Sequence, residues 1–139
     1  MTEIVFHAID ARDAPAVWEK MQPLIDKALS FGQGDGTTSD HMLQGILLGE
    51  LALWAAMKES EIVAIVVLSI DQEVTGRRIS LELLAGDRST EWEDQLESLI
   101  LELKDRTEAR CIEASCRSGL ARRLARRGWR QKAVIMELT

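Results

Sequence analysis

Leu51 to Leu84, LALWAAMKESEIVAIVVLSIDQEVTGRRISLELL, is the stretch that decides the fold. Its first run, Leu51 to Lys58, ends in the polar turn Glu59-Ser60-Glu61. Ile62 to Ile70 is apolar nearly throughout, the mark of a central strand covered on both faces. Gln72 to Arg77 reads as a polar connection and Arg78 to Leu84 as a third strand, so the three form an antiparallel meander. Alternation along Ile79, Leu81 and Leu83 sends Ser80, Glu82 and Leu84 to the opposite face.

Working towards the N-terminus, Ser39-Asp40 caps a helix with Met42, Leu43, Ile46 and Leu47 on its buried side, stopped at Gly49. Before it, Phe31 to Thr38 (FGQGDGTT) reads as a glycine-rich loop. Val17, Met21, Leu24, Ile25 and Ala28 recur at helical spacing, entered through Asp10, Asp13 and Pro15, and Pro23 predicts a kink or a break. Glu3 to Ile9 is a short apolar first strand. Towards the C-terminus, Glu91 to about Thr107 is a helix with Trp92, Leu96, Leu99, Ile100 and Leu103 inward. Arg110 to Cys116 is a fifth strand, and the helical crossover before it implies a parallel neighbour. Leu120 to Arg127 is a basic helix stopped by Gly128, and Gln131 to Leu138 (QKAVIMEL) reads as a closing strand.

At 139 residues the chain is one domain, and 46% hydrophobic with 29% charged residues excludes a disordered chain. There is no tyrosine, so chemistry that needs a phenol is ruled out. The net charge of −6 argues against a general polyanion binder. It hides an acid-free stretch containing Arg117, Arg122, Arg123, Arg126, Arg127, Arg130 and Lys132, in which aromatics do not interleave as nucleic-acid binding would want. Cys111 and Cys116 are an odd five apart, which disfavours a disulfide or shared metal if both lie on a strand, and spare thiols suit a reducing cytoplasm. Only His7 and His41 are present, too few for a His-rich zinc site, so no metal is expected. No apolar run is long enough to span a bilayer, and no signal peptide is visible. A cytoplasmic protein is expected.

The order β-α-α-β-β-β-α-β-α-β, with Ser118, Ala121, Arg127, Gly128 and Trp129 near the end, resembles the GNAT N-acetyltransferase superfamily. More narrowly it is similar to the divergent GNAT-like proteins of tailed bacteriophages. The resemblance spans the whole chain and implies an α/β domain, a mixed central sheet with helices on both faces. In that family the loop after the fourth strand holds the pyrophosphate of acetyl-CoA on backbone N–H groups at a helix N-terminus. The equivalent residues here are Gly86, Asp87, Arg88, Ser89 and Thr90. The family's Gly-x-Gly or Gly-x-Ala is reduced to Gly86, and Asp87, Glu91, Glu93 and Asp94 bring acids that would repel a diphosphate. The plainer reading is an ordinary helix capped by Ser89 or Thr90.

The resemblance also makes Glu82 the general base, since apolar surroundings raise a carboxylate's proton affinity. The plainer reading is a sheet glutamate paired with an arginine or solvated. The family's tyrosine acid is missing, and Cys116 or Ser118 would have to substitute for it, although Cys116 also suits a small buried core thiol. Arg122, Arg123, Arg126 and Arg127 form a face for CoA phosphates, for an acidic partner or for a second copy, unless they pair with the acid-rich helix before them. Two functions are open: a degenerate GNAT-like protein acting as a virion- or morphogenesis-associated binding protein of a bacteriophage, or an acetyl-CoA-dependent N-acyltransferase using Glu82. The reduced loop and the missing tyrosine tip the expectation towards the first.

Overall fold

The structure, a computed structural model, describes residues 3–30, 36–86, 91–116 and 118–139. Asp87, Arg88, Ser89 and Thr90, part of the glycine-rich loop, and Arg117 lie outside the described residues. In chain order the elements are β1 (Ile4–Ile9), α1 (Ala14–Ser30), α2 (Ser39–Leu47), β2 (Ala52–Lys58), β3 (Glu61–Glu73), β4 (Gly76–Gly86), α3 (Glu93–Thr107), β5 (Cys111–Ala114) and α4 (Ser118–Ala125). The strands form a five-stranded mixed sheet in the order β1-β2-β3-β4-β5. Only β4 and β5 run parallel, as the helical crossover requires.

The polar residues from Gln72 to Arg77 are not a connection but the tip of a long β3–β4 hairpin. Asp71 faces Arg78 and Gln72 faces Arg77, so opposite charge and hydrogen bonding across the ladder take the place of apolar packing. Arg77 Nε donates to Gln72 Oε1 at 3.2 Å, and Arg78 Nη2 donates to Asp71 Oδ2 at 3.2 Å.

The sheet separates two cores. On one face Ala64, Val66, Leu68, Ile79 and Leu81 pack with Trp92, Leu96, Leu99, Ile100 and Leu103 around α3. On the other, Ile65, Val67, Leu83 and Ala85 pack with Trp18, Met21 and Ile25 of α1 and Met42 and Ile46 of α2. The alternation expected for β4 therefore fails at one point. Val67 pairs with Leu83 but the adjacent Leu68 pairs with Leu81, which leaves Glu82 as the extra residue of a β-bulge. Leu83 consequently points to the α1/α2 face and Leu84 to the α3 face, the reverse of an unbroken strand.

α1 runs through Pro23 without a break. Pro23 and Glu19, whose carbonyl loses its partner, are both exposed, a position at which a helix tolerates the missing bond. The cap of α2 is Thr38 rather than Ser39: Thr38 Oγ1 accepts from His41 N at 3.3 Å and His41 Nδ1 accepts from Thr38 N at 2.9 Å. Ser39 instead is buried and accepts from Gln22 Nε2 at 3.3 Å. α3 begins at Glu93 with Trp92 at the N-cap position, two residues later than expected; Ser89 and Thr90, the caps expected from sequence, lie outside the described residues. β5 is shorter than the expected Arg110 to Cys116. The strand expected at Gln131 to Leu138 is absent: residues 129–139 carry no helix or strand, and Val134, Ile135, Met136 and Leu138 are exposed. β-propensity alone does not make a strand, because a ladder needs a partner with matching free N–H and C=O groups.

Candidate active site

The β4–β5 pairing covers Arg78↔Cys111 to Leu81↔Ala114 and then stops. It stops where the Glu82 bulge bends β4. Beyond that point the two parallel strands separate, with Glu82 to Gly86 along one side and Ser115-Cys116 along the other. The opening is a cleft of about 680 Å³, lined by Glu82 and Leu84, by Trp92 and Leu96 of the α3 face, by Cys116, by Leu120 and Leu124 of α4, and by Trp129. Thr37 and Met42 close the α1–α2 side. A parallel pair that splays leaves backbone groups of β4 without a β5 partner, which is what an extended ligand can occupy as a strand would.

Glu82 stands at the apex of the cleft. Its side chain is held by Ser69, which is buried on β3 and whose Oγ–H donates to Glu82 Oε1 at 2.8 Å. No ion pair to Glu82 is present among the described residues, and the residue is exposed, so of the plainer reading the arginine partner is not found and the solvated glutamate is, in place of the apolar surroundings expected of the base. A second charged group borders the same cleft. Arg78 contacts Asp71 at 3.2 Å, Glu73 at 3.2 Å and Glu113 at 3.6 Å, and the Asp71 hydrogen bond foremost holds its guanidinium protonated against desolvation. Lys132 pairs with Glu113 as well, and that hydrogen bond is the chief reason why the Glu113 carboxyl lies below its ordinary range.

Cys116 lines the cleft but lies past the end of β5, so the alternation argument does not reach it. Burial pushes its thiol up, which keeps it protonated and makes it a poor nucleophile. Cys111 and Cys116 are free thiols. Ser118 opens α4 with an exposed side chain and is not part of the cleft wall. Gly86 ends β4 with its Cα close against β3: an added Cβ would lie 2.8 Å from Val63 O and 2.9 Å from Ala64 Cα. That contact alone requires glycine there, independently of any ligand.

The acids at the start of α3 are not a bare negative patch. Arg123 pairs with Glu93, and Arg127 reaches Glu93 at 3.5 Å, Asp94 at 2.9 Å and Glu97 at 2.6 Å. Lys58 lies 4.0 Å from Glu91. Of the acids expected to repel a diphosphate, Glu91, Glu93 and Asp94 thus have cationic partners, and Asp87 lies outside the described residues. Two arginines of the expected docking face are consumed inside the molecule, while Arg122 and Arg126 remain exposed. Among the described residues no group of His, Cys, Asp and Glu could hold a metal ion, and no helix is long and apolar enough to cross a membrane.

Residue-by-residue reading missed Ser69, Arg78, Glu113 and Ile135 as cleft residues, all of which touch or support the cleft. A signal for Ser69 existed. A hairpin turning at Val74-Thr75 carries Ser69 opposite Ser80, within reach of Glu82.

A five-stranded mixed sheet with helices on both faces is the fold of the GNAT acetyltransferases. The chain has this fold. It superposes on an aminoglycoside acetyltransferase, meta-AAC0020, from an uncultured soil metagenomic sample, with a TM-score of 0.72 at 12% identity over 98% of this chain and 95% of that one. The aminoglycoside N-acetyltransferase AAC(6')-Iy in complex with CoA matches with a TM-score of 0.72 at 13% identity, covering 100% and 95%. A ribosomal-protein-alanine N-acetyltransferase from Brucella melitensis biovar Abortus 2308 matches with a TM-score of 0.70 at 15% identity, covering 99% and 98%. No protein-family model matches the sequence, and neither does any curated protein.

Proposed function

We propose that the chain is an acetyl-CoA-dependent N-acyltransferase with Glu82 as general base. The observation that carries this is the coincidence of the Glu82 bulge with the end of β4–β5 pairing, which places a carboxylate at the apex of an open cleft. The cleft suits a thioester arm: it has an apolar floor in Leu84, Leu120 and Leu124 and β4 backbone beyond the last β5 pair. Acetyl-CoA, when bound, supplies the acyl group as a thioester. The remaining work falls to the chain. Glu82 removes the proton of an acceptor ammonium, and Ser69 fixes Oε1 so that Oε2 faces the acceptor. Trp129 and the α4 leucines shield the reacting carbonyl from water. Transfer would form the C–N bond to the amine as the C–S bond of the thioester breaks, releasing CoA as a thiolate. Cys116, which keeps its proton at Sγ on the opposite wall, is the cleft side chain that would protonate it rather than form an acyl-cysteine.

A non-catalytic, virion-associated binding protein would depend on the arginine face, of which only Arg122 and Arg126 are free of the α3 acids. Calorimetric titration with acetyl-CoA and with free CoA separates the two readings. Micromolar binding, roughly −8 kcal/mol, followed by acetylation of a small primary amine is the expected outcome. Glu82→Gln should keep the binding and lose about 10²–10⁴ in kcat. Absence of binding, or full activity of Glu82→Gln, would overturn the proposal.

A further inference from the structure

The two sides of the cleft are furnished differently. Trp92, Leu120 and Leu124 make up the α3–α4 side, where the apolar floor suits a thioester arm. Glu82 faces the other side. Its carboxylate is bonded to Ser69, which follows Val67 on β3 at the two-residue period of the face that packs on α1 and α2. An acceptor amine therefore reaches Glu82 from the α1–α2 side. There the described wall consists of Ala28 and Leu29 at the end of α1, Met42 of α2 and Ile135 of the C-terminal segment, with Thr37 among them. Thr37 apart, that wall is apolar.

The charges of the cleft are nearly all spent. Of the four carboxylates that line it, three have cationic partners: Glu93 pairs with Arg123, Glu97 with Arg127 at 2.6 Å, and Glu113 with Lys132 and with Arg78 at 3.6 Å. Among the described residues Glu82 is the one left without a cation. An acceptor with a single ammonium brings its charge to Glu82 and leaves nothing uncompensated. A second ammonium on the same molecule would meet no free carboxylate and would lose water against leucine and methionine, which is costly for an unpaired charge. An apolar substituent gains from the same burial. We infer that the acceptor is a monocationic primary amine with an apolar substituent, an alkylamine or arylalkylamine, and that polycationic amines are disfavoured. The inference rests on the acyltransferase reading.

Hexylamine and hexamethylenediamine have the same reach and differ by one ammonium. Each is titrated calorimetrically into the CoA-loaded protein and offered with acetyl-CoA in an initial-rate assay. Hexylamine should bind more tightly and be favoured about tenfold or more in kcat/KM. From propylamine to hexylamine kcat/KM should rise roughly threefold per methylene. Ile135 is 70% exposed and can accept a charge, so Ile135→Glu should shift the preference towards the diamine, with circular dichroism as the check on folding. If that variant does not fold, Leu29→Glu makes the same test from α1. A diamine that matches or exceeds hexylamine, or a folded glutamate variant with an unchanged ratio, would overturn this inference and leave the acyltransferase reading in place. CoA binding without a response to either amine overturns it too, and leaves the cofactor site standing. Failure of CoA to bind overturns both.

Discussion

Ser69 does for Glu82 what no residue on β4 could do. A carboxylate on a bulge is free to swing, and one fixed O–H···O⁻ bond of 2.8 Å holds an oxygen in place. Hydrogen bonds to charged groups contribute about 1.5–3 kcal/mol, so Ser69→Ala should lower kcat roughly tenfold, equivalent to about 1.4 kcal/mol. Ser69→Thr, which keeps the hydroxyl, should recover most of that loss in the same steady-state assay. The position of Glu82 on the fourth strand was legible from alternating apolar residues. Its bulge was not. Ile79, Leu81, Leu83 and Ala85 go on alternating through the very point where the strand changes faces, and because both faces are apolar there, a slip of one residue leaves no mark in the sequence. The cap of α2 was missed for a similar reason: Thr38 and Ser39 are both good caps, and only the His41 ring decides between them.

Among the elements, α4 is the one whose meaning changed most. Its arginines looked like a docking face, yet Arg127 pairs with Glu93, Asp94 and Glu97 of α3, and the hydrogen bonds to Glu97 first and to Asp94 next hold its guanidinium charged. Arg127→Glu should therefore lower Tm by loosening α4 from α3, whereas Arg122→Glu on the exposed side should leave Tm unchanged by calorimetry. Periodicity revealed the arginines' helix but not which helix it meets, because partner choice is a tertiary property. The segment after α4 has a pH dependence of its own. The Glu113 carboxyl is lowered chiefly by its hydrogen bond from Lys132, with further help from the charges of Lys132, Arg78 and Arg110 and against burial. A depressed carboxylate contributes stability above its unfolded pKa of about 4.3, and that contribution is lost as pH falls through the lower folded value. The NMR shifts of Lys132 should therefore change as the pH falls below about 4, and in Glu113→Gln that change should be absent.

Across the whole molecule, the sheet is buried on both faces, and each face has its own cluster. Ile65 belongs to the α1/α2 side and Ile100 to the α3 side, 0% and 4% exposed. Either one changed to Ala should cost roughly 2–5 kcal/mol in denaturant unfolding, and because they lie in separate clusters the double variant should be additive to within about 0.5 kcal/mol. The order of elements up to α4 was legible, since strand and helix periods differ and both are strong in this chain. The closing strand was not a strand at all, since the β-propensity of Gln131 to Leu138 says nothing of whether a partner ladder is there to receive it.

The four-residue β4–β5 ladder has a consequence for how the chain assembles. The pairing from β1 to β4 closes by turns between neighbours, apart from the two helices between β1 and β2, whereas β5 can register on β4 only after the whole α3 crossover has closed. Loop closure of that kind is slow, and a seam of four residues returns little for it. The seam should be a late event in folding and an early one in local opening. The cleft lies at the end of this seam, so its width is set by the least cooperative junction in the sheet, and the chain can breathe there without disturbing the α1/α2 core on the other face.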